Sequence, residues 1–330
     1  MSVKISIVGL PAMAYATEGQ SPVRIWQDNA QLTSVCDGNA YRLRDFLERW
    51  QNITCYATLQ EMLHLDTPDI IHVQAWPEAR MHLLAAMGKS LPKVLMIESP
   101  WAFDRRDALR LVNACLEKGP ELVVPYPGRL CPRLREAALA VQNGILGPIT
   151  AAHITYSPAS GVSASDAVDL ARQFLGEAHS VQAFADRTWK GFDAQLSGRL
   201  LFGREMDVVI SPSAASNSRL DAIFEGMLGT LRIYNGGRDI LIHLEGGDGH
   251  LEEIKLPFSE PVCSAKAAAI ALAIELAEGK CHNPCDGENA LKTLAIVQAL
   301  QMSHTKDGEL VSLFKNDSDR FFETTSAWMA

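Results

Sequence analysis

The sequence predicts an α/β protein: a doubly wound parallel sheet comes first, then an α+β domain on an open, mainly antiparallel sheet. Three observations carry this. Up to about residue 125, short apolar β-rich runs alternate with helical patterns, the rhythm of βαβ units with helices on both sheet faces. From about Ile149 the β-rich runs follow one another through glycine turns, which suits hairpins. Two helical patterns, Ser264 to Glu278 and Gly287 to Ser303, close the order.

In the first part, Ile5 to Val8 and Leu32 to Cys36 read as strands. Arg42 to Trp50 reads as a helix, because Leu43, Phe46, Leu47 and Trp50 share one face at a 3.6-residue period. Leu59 to Leu65 suggests a short helix closed by Asp66-Thr67-Pro68, and Asp69 to Val73 a third strand. Ala79 to Met87 continues as a helix ended by Gly88. Val94 to Ile97, an amphipathic helix from Arg106 to Lys118, and Leu122 to Val124 complete the parallel set. In the second part, strands are expected at Thr150–Tyr156, Val181–Trp189, Gln195–Phe202, Met206–Ile210, Leu220–Glu225, Gly229–Tyr234 and Asp239–Leu244. Gly236-Gly237 and Gly246 to Gly249 supply turns, and one helix, Ala167 to Leu175, interrupts the strands. The expected domains are 1–125, doubly wound and shaped for a dinucleotide, and 126–313, for substrate and oligomerisation, with the helices of about 264–303 near the junction; a tail spans 314–330.

The chain has 330 residues, enough for two cores, with 47% apolar residues and a formal net charge of −9. That balance excludes a phosphate-backbone partner, which needs clustered Lys and Arg. No stretch reaches the length of a membrane span. Lys4 and the apolar run to Ala16 are a poor secretory signal, since Pro11 interrupts it, and a first buried strand explains the run as well. Seven scattered cysteines fit reduced thiols in a cytoplasmic protein. Cys281-His282-Asn283-Pro284-Cys285 lacks a second ligand pair and reads as a structural loop, so no metal is expected.

A phosphate-binding turn uses glycine for the tight turn, for close approach of a pyrophosphate and for helix packing. Here the first strand ends Val8-Gly9-Leu10-Pro11-Ala12-Met13-Ala14: Gly9 fills the first role, Pro11 stands at the second, and Ala14 is a tolerable third. Proline has no N–H to offer a phosphate. Asp37, at the end of the second strand, is placed to accept from a ribose diol and to disfavour a 2′-phosphate, which favours NAD over NADP. Weak or absent cofactor binding is the alternative that Pro11 leaves open.

Several runs then resemble one family in order and spacing. They are Val35-Cys36-Asp37, Glu61-Met62-Leu63, Pro68 to Ile71, Glu98-Ser99-Pro100, Arg129 to Pro132, Gly144 to Ile149 and Asp286 to Leu291. From residue 3 to about 313 the chain resembles the glucose–fructose oxidoreductase/inositol dehydrogenase (Gfo/Idh/MocA) family. The resemblance implies an N-terminal Rossmann domain and a C-terminal domain whose open sheet covers the active site. It also implies a sugar- or polyol-like substrate, NAD or NADP, and a homodimer or homotetramer. Cofactor contacts are then expected from Gly9, Leu10, Pro11, Asp37, Trp76, Pro77 and Glu98, and substrate contacts from Tyr126, Arg129 and Arg172.

The departures fall on the chemistry. The family's Glu-Lys-Pro stands as Glu98-Ser99-Pro100, and a serine hydroxyl cannot by itself relay the proton that a lysine can. Arg80 replaces a histidine after Trp76-Pro77. The family's Asp-x-Gly-x-His-x-x-Asp aligns with Val162 to Asp169, which keeps Asp169 and puts Asp166 at the histidine position. Glu98, Ser99, Asp166 and Asp169 remain as catalytic candidates, with helix capping as the plainer role for Asp166. Arg80, Arg129 and Arg172 could hold an acidic sugar or a phosphate, or serve in structural ion pairs. His72 and His153 lie in strands and read as satisfied interior residues. Two expectations follow: an NAD(P)-dependent oxidoreductase of a sugar- or polyol-like substrate with altered acid/base groups, or a catalytically silent relative that binds a ligand or partner.

Overall fold

The computed structural model describes residues 2–10, 26, 29–50, 52–74, 91–102, 104–184, 195–203, 206–214, 220–247, 250–258, 264–316 and 319–320. Pro11, Trp76, Pro77, Arg80 and the helix expected over 79–87 lie outside them. The chain divides into two compact units: residues 1–125 with 263–291, and residues 126–262 with 292–330.

The first unit holds β1 (Lys4–Val8), β2 (Gln31–Cys36), β3 (Thr54–Tyr56), β4 (Ile70–Val73), β5 (Val94–Ile97) and β6 (Glu121–Val123). They form one sheet in the order β3-β2-β1-β4-β5-β6, parallel throughout. β4 and β5 are buried along their whole length, as expected of strands covered on both faces. The order reverses between β1 and β4, and the carboxyl ends of strands at such a reversal are where open α/β sheets take their ligands. β3 had no place in the sequence reading: three residues, one of them buried, are too few to show a period. The helices are α1 (Ala40–Arg49), α2 (Leu59–Leu65) and α3 (Arg105–Lys118). Asn39, Thr58 and Asp104 cap them through side-chain oxygens, each satisfying an otherwise orphaned backbone N–H.

The second unit begins with α4 (Pro127–Leu130) and α5 (Pro132–Gln142), both absent from the sequence reading. Each starts on a proline, which suits a first helical position because its missing N–H has no partner there anyway. A nine-stranded sheet follows, built from β7 (Ile149–Tyr156), β8 (Ala178–Ala183), β9 (Gly198–Phe202), β10 (Met206–Pro212), β11 (Leu220–Gly226), β12 (Gly229–Tyr234), β13 (Asp239–Glu245), β14 (Leu251–Ile254) and β15 (Val311–Ser312). Its order is β14-β13-β12-β11-β7-β10-β9-β8-β15, antiparallel wherever a register is set except for β10 with β7. β14 escaped the sequence reading because all four of its residues are exposed on an edge. Strand β8 starts three residues earlier than expected and ends at Ala183; residues 185–194 are not described.

One face of this sheet packs on α6 (Ala164–Leu175), through the stacked rings of Phe174 and Phe224, 4.4 Å apart. The other face carries half-buried and exposed residues such as His153, Val209, Ile223 and Arg232. His153 is therefore not interior: it is exposed and bonded to Ser211 Oγ at 3.0 Å. The last helices are α7 (Ala265–Ala277) and α8 (Gly287–Thr305). Residues 263–291, read from sequence as part of the second domain, group with the first unit. The reason is local: Val124 N–H donates to Cys285 O at 2.8 Å and Asn283 Nδ2 to Leu122 O at 2.9 Å, tying this segment to the end of β6. Cys281 is exposed and Cys285 buried, and no group of His, Cys, Asp or Glu among the described residues could hold a metal. No helix among them is long and apolar enough to cross a membrane.

Candidate cofactor site and buried charge cluster

At the end of β1, Gly9 takes φ 85°, a backbone state that side chains rarely adopt. Its N–H donates to Cys36 O at 2.8 Å. The chain turns here, and Leu10 N–H donates to Asp37 Oδ2 at 2.8 Å. Asn39 N–H donates to Oδ1 at 2.8 Å, and Arg42 Nη1 reaches Oδ2 at 3.3 Å. Asp37 is buried, so one carboxylate fixes the turn after β1 and the entry to α1 together. A carboxylate offers about four lone-pair sites. Three are engaged, and Arg42, 43% exposed, is the replaceable partner. A buried acceptor beside a tight glycine turn fits the ribose hydroxyls of a dinucleotide. Arg42 carried no distinct signal in the sequence beyond its position five residues after Asp37. The neighbouring Cys36 thiol is pushed up to about 11, by burial first and by the negative charge of Asp37 second, so it stays protonated and inert.

At the end of β5, Glu98 N–H donates to Val73 O at 3.1 Å, and its carboxylate Oε1 lies 2.9 Å from His72 Nε2. His72 Nδ1 in turn accepts from Trp26 Nε1 at 3.0 Å. The Ser99–Pro100 peptide is cis. The Ser99 hydroxyl and the Trp101 indole N–H are both buried and find no hydrogen-bond partner among the described residues. Leaving a buried donor unpaired costs about 1–3 kcal/mol, which a ligand's acceptor oxygen would recover. Sequence reasoning singled out Glu98 and Ser99 but missed Trp26 and Trp101, and it treated His72 as a core residue without naming its partner. An aromatic residue in an apolar run gives no hint that its N–H is orphaned.

Three candidates of the second unit, Asp169, Arg129 and Arg172, form a buried charge cluster. Asp169 is fully buried. Arg129 Nε donates to both its oxygens at 2.9 and 2.8 Å, Arg172 Nη1 to Oδ1 at 3.2 Å, and Thr293 Oγ1 to Oδ1 at 3.0 Å. Arg172 closes the set with a two-pronged grip on Glu177, 2.8 and 2.7 Å. Burial pushes the Asp169 carboxyl up against the pull of Arg129 and Arg172. Burial acts on Glu177 too, yet the Arg172 fork holds it below its ordinary value. Such a set joins α4, α6 and α8 as a neutral quartet of charges, and Asp169 and Arg172 are spent within it. Tyr126, at the N-cap of α4, is buried. Asp166 occupies the third position of α6, which starts at Ala164 rather than Ala167, and accepts from Ser163 N–H at 2.8 Å. This is the reciprocal half of a capping box. Asp166 is therefore not the N-cap of a helix from Ala167: Ser163 is the N-cap, one turn earlier than the sequence pattern placed the helix start, because Ala164 and Ser165 gave no apolar period.

Comparison with known proteins agrees with this layout. The model of an oxidoreductase family with an NAD-binding Rossmann fold, GFO_IDH_MocA, matches residues 3–126. Over these residues the chain is similar to the Gfo/Idh/MocA family. Among curated proteins, none matches it in sequence. Among solved structures, an aldose–aldose oxidoreductase from Caulobacter crescentus complexed with glycerol is similar, with TM-score 0.76 and 17% identity over 95% of this chain and 100% of the other. An oxidoreductase from Agrobacterium radiobacter, in complex with NAD+, L-tartaric acid and magnesium, gives TM-score 0.74 and 16% identity over 95% and 99%. The WlbA dehydrogenase from Bordetella pertussis, in complex with NADH and UDP-GlcNAcA, gives 0.73 and 20% over 96% and 100%. At these identities the likeness shows a shared fold.

Proposed function

We propose that this protein is an NAD(P)-linked oxidoreductase of a sugar- or polyol-like alcohol, with NAD preferred and with Glu98 in the acid/base position left by the lysine-to-serine change. The observation that carries the reading is Asp37, a buried carboxylate bonded to Leu10 N–H at 2.8 Å beside the strand-order reversal. A carboxylate there accepts from ribose hydroxyls and repels a 2′-phosphate. When bound, the nicotinamide supplies hydride acceptance or donation; the chain supplies the rest. Gly9, Leu10, Asp37 and Glu98 hold the nucleotide, together with Pro11, Trp76 and Pro77 from the sequence pattern. The Ser99 hydroxyl and Trp101 N–H are donors for an oxygen of the ligand, and the Glu98 carboxylate takes the hydroxyl proton. A carbohydrate-like substrate is consistent with the glycerol, tartaric acid and UDP-GlcNAcA of the similar structures. Beside Tyr126, Arg129 is a substrate candidate of the second unit: its Nε is spent on Asp169, and its side chain is 15% exposed. A homodimer or homotetramer in the cytoplasm is the expected working form.

A second reading, a silent relative that binds ligand without turnover, is favoured by Ser99 itself, since no lysine stands at the family's proton-relay position. Assay with sugars and polyols and either cofactor separates the two. On the first reading wild type turns over, Glu98→Gln loses about 10²-fold or more in kcat, and Ser99→Lys keeps or raises the rate. Tight NADH binding with no turnover by wild type or by Ser99→Lys selects the second.

A further inference from the structure

The chain Trp26–His72–Glu98 has a direction that the donor chemistry fixes. Trp26 is fully buried and His72 is 1% exposed, so neither can leave a polar group to water. An indole N–H can only donate. Trp26 Nε1 donates to His72 Nδ1 at 3.0 Å, with the two rings edge to face at 5.8 Å and 62°. His72 Nδ1 must therefore carry a lone pair, and the ring's proton sits on Nε2. The Nε2–H then points at Glu98 Oε1, 2.9 Å away; the Gln74 side-chain nitrogen, at 3.5 Å, is at the limit of hydrogen bonding. Glu98 cannot be the donor in this pair, because that would leave both ring nitrogens without hydrogen. Register adds to the constraint: His72 lies in β4 opposite Met96 of β5, two residues before Glu98. The histidine and the carboxylate are thus carried by hydrogen-bonded neighbouring strands.

We infer that Trp26 and His72 are positioning residues for Glu98. Trp26 selects the Nε2–H tautomer of His72, and that N–H fixes Glu98 Oε1 as an acceptor at the carboxyl end of β5. There it is presented to hydroxyl donors of a ligand: a ribose or a polyol. The inference rests on the reading of Glu98 as an acid/base group, and it adds to that reading the buried residues that set its state. A histidine at an interior position of a parallel strand, where an aliphatic residue would serve packing better, has its reason in this arrangement.

The test uses the whole protein with ¹⁵N-labelled histidine, the His72 signals being assigned by their loss in His72→Leu. Wild type is expected to show unprotonated Nδ1 and protonated Nε2 at neutral pH, and Trp26→Phe to shift that ring toward a mixture of tautomers. NADH titration is the second readout. Trp26→Phe and His72→Leu are expected to weaken NADH by roughly tenfold, the scale of a lost hydrogen bond to a charged group, and His72→Gln, which restores an N–H, to recover part of it. An Nδ1–H or doubly protonated His72 in wild type overturns the inference, as do folded variants with unchanged NADH affinity. If wild type binds no NADH, the cofactor reading fails by itself and the wild-type spectrum alone decides the chain. Variants that do not fold leave the same spectrum as the deciding measurement.

Discussion

Asp169 illustrates how a residue that a motif resemblance offers for chemistry can be taken up by a buried ion cluster. Sequence alignment placed it among catalytic candidates, yet it is fully buried with both oxygens held by Arg129 Nε at 2.9 and 2.8 Å. Removing one member of a buried ion cluster leaves uncompensated charge and typically costs about 3–5 kcal/mol. Asp169→Asn is therefore expected to lower stability by about that amount in urea unfolding followed by circular dichroism, while NADH affinity stays near wild type under folding conditions. An unchanged unfolding midpoint with lost activity would return Asp169 to the catalytic set. The cluster around it was not legible from sequence, because the partners Arg129 and Thr293 stand 40 and 124 residues away. Asp166 was expected to cap a helix from Ala167; it instead takes the third position of α6, in a capping box whose N-cap is Ser163.

Apart from the three-residue β3, the strands of the first unit were legible almost residue by residue, and the reason is physical. Val94 to Ile97 and Ile70 to Val73 are buried on every residue, so selection for apolar, β-prone side chains acts on the whole run. The elements that were missed lack such a signature: β14 is exposed throughout and α4 spans four residues. Strand register also carries a titratable contact. Asp69, just before β4, accepts from Lys4 N–H at 3.0 Å, and its Oδ1 lies 2.9 Å from Lys93 Nζ. Burial opposes ionisation, but these donors hold the carboxyl below its ordinary value. A folded-state value below the unfolded one, about 3.9, adds stability above that pH, and this is lost as pH falls through the folded value. Asp69→Asn is expected to flatten the fall of melting temperature below about pH 4 relative to wild type. An identical acid limb in the two proteins would remove Asp69 from the account.

At the scale of the whole molecule, the fold was readable well before the chemistry. The alternation of runs, the glycine turns and the order of short motifs each reported on many residues at once, and the doubly wound parallel sheet followed; its strand order came only from the structure. The site rests on single atoms. That Asp37 would close the turn through Leu10 N–H, or that Trp101 N–H would lie buried without a partner, depends on contacts no local pattern encodes. Ser99 marks the limit most clearly: the sequence shows the loss of a lysine, and the structure adds an orphaned hydroxyl next to a carboxylate fixed by His72. The account as a whole stands on cofactor recognition at the end of β2. The most direct measurement is fluorescence titration of wild type and Asp37→Ala with NADH and NADPH. Saturable NADH binding tighter than NADPH, weakened about tenfold or more by Asp37→Ala, is the predicted result. No binding at millimolar cofactor, or NADH affinity indifferent to Asp37→Ala, contradicts it.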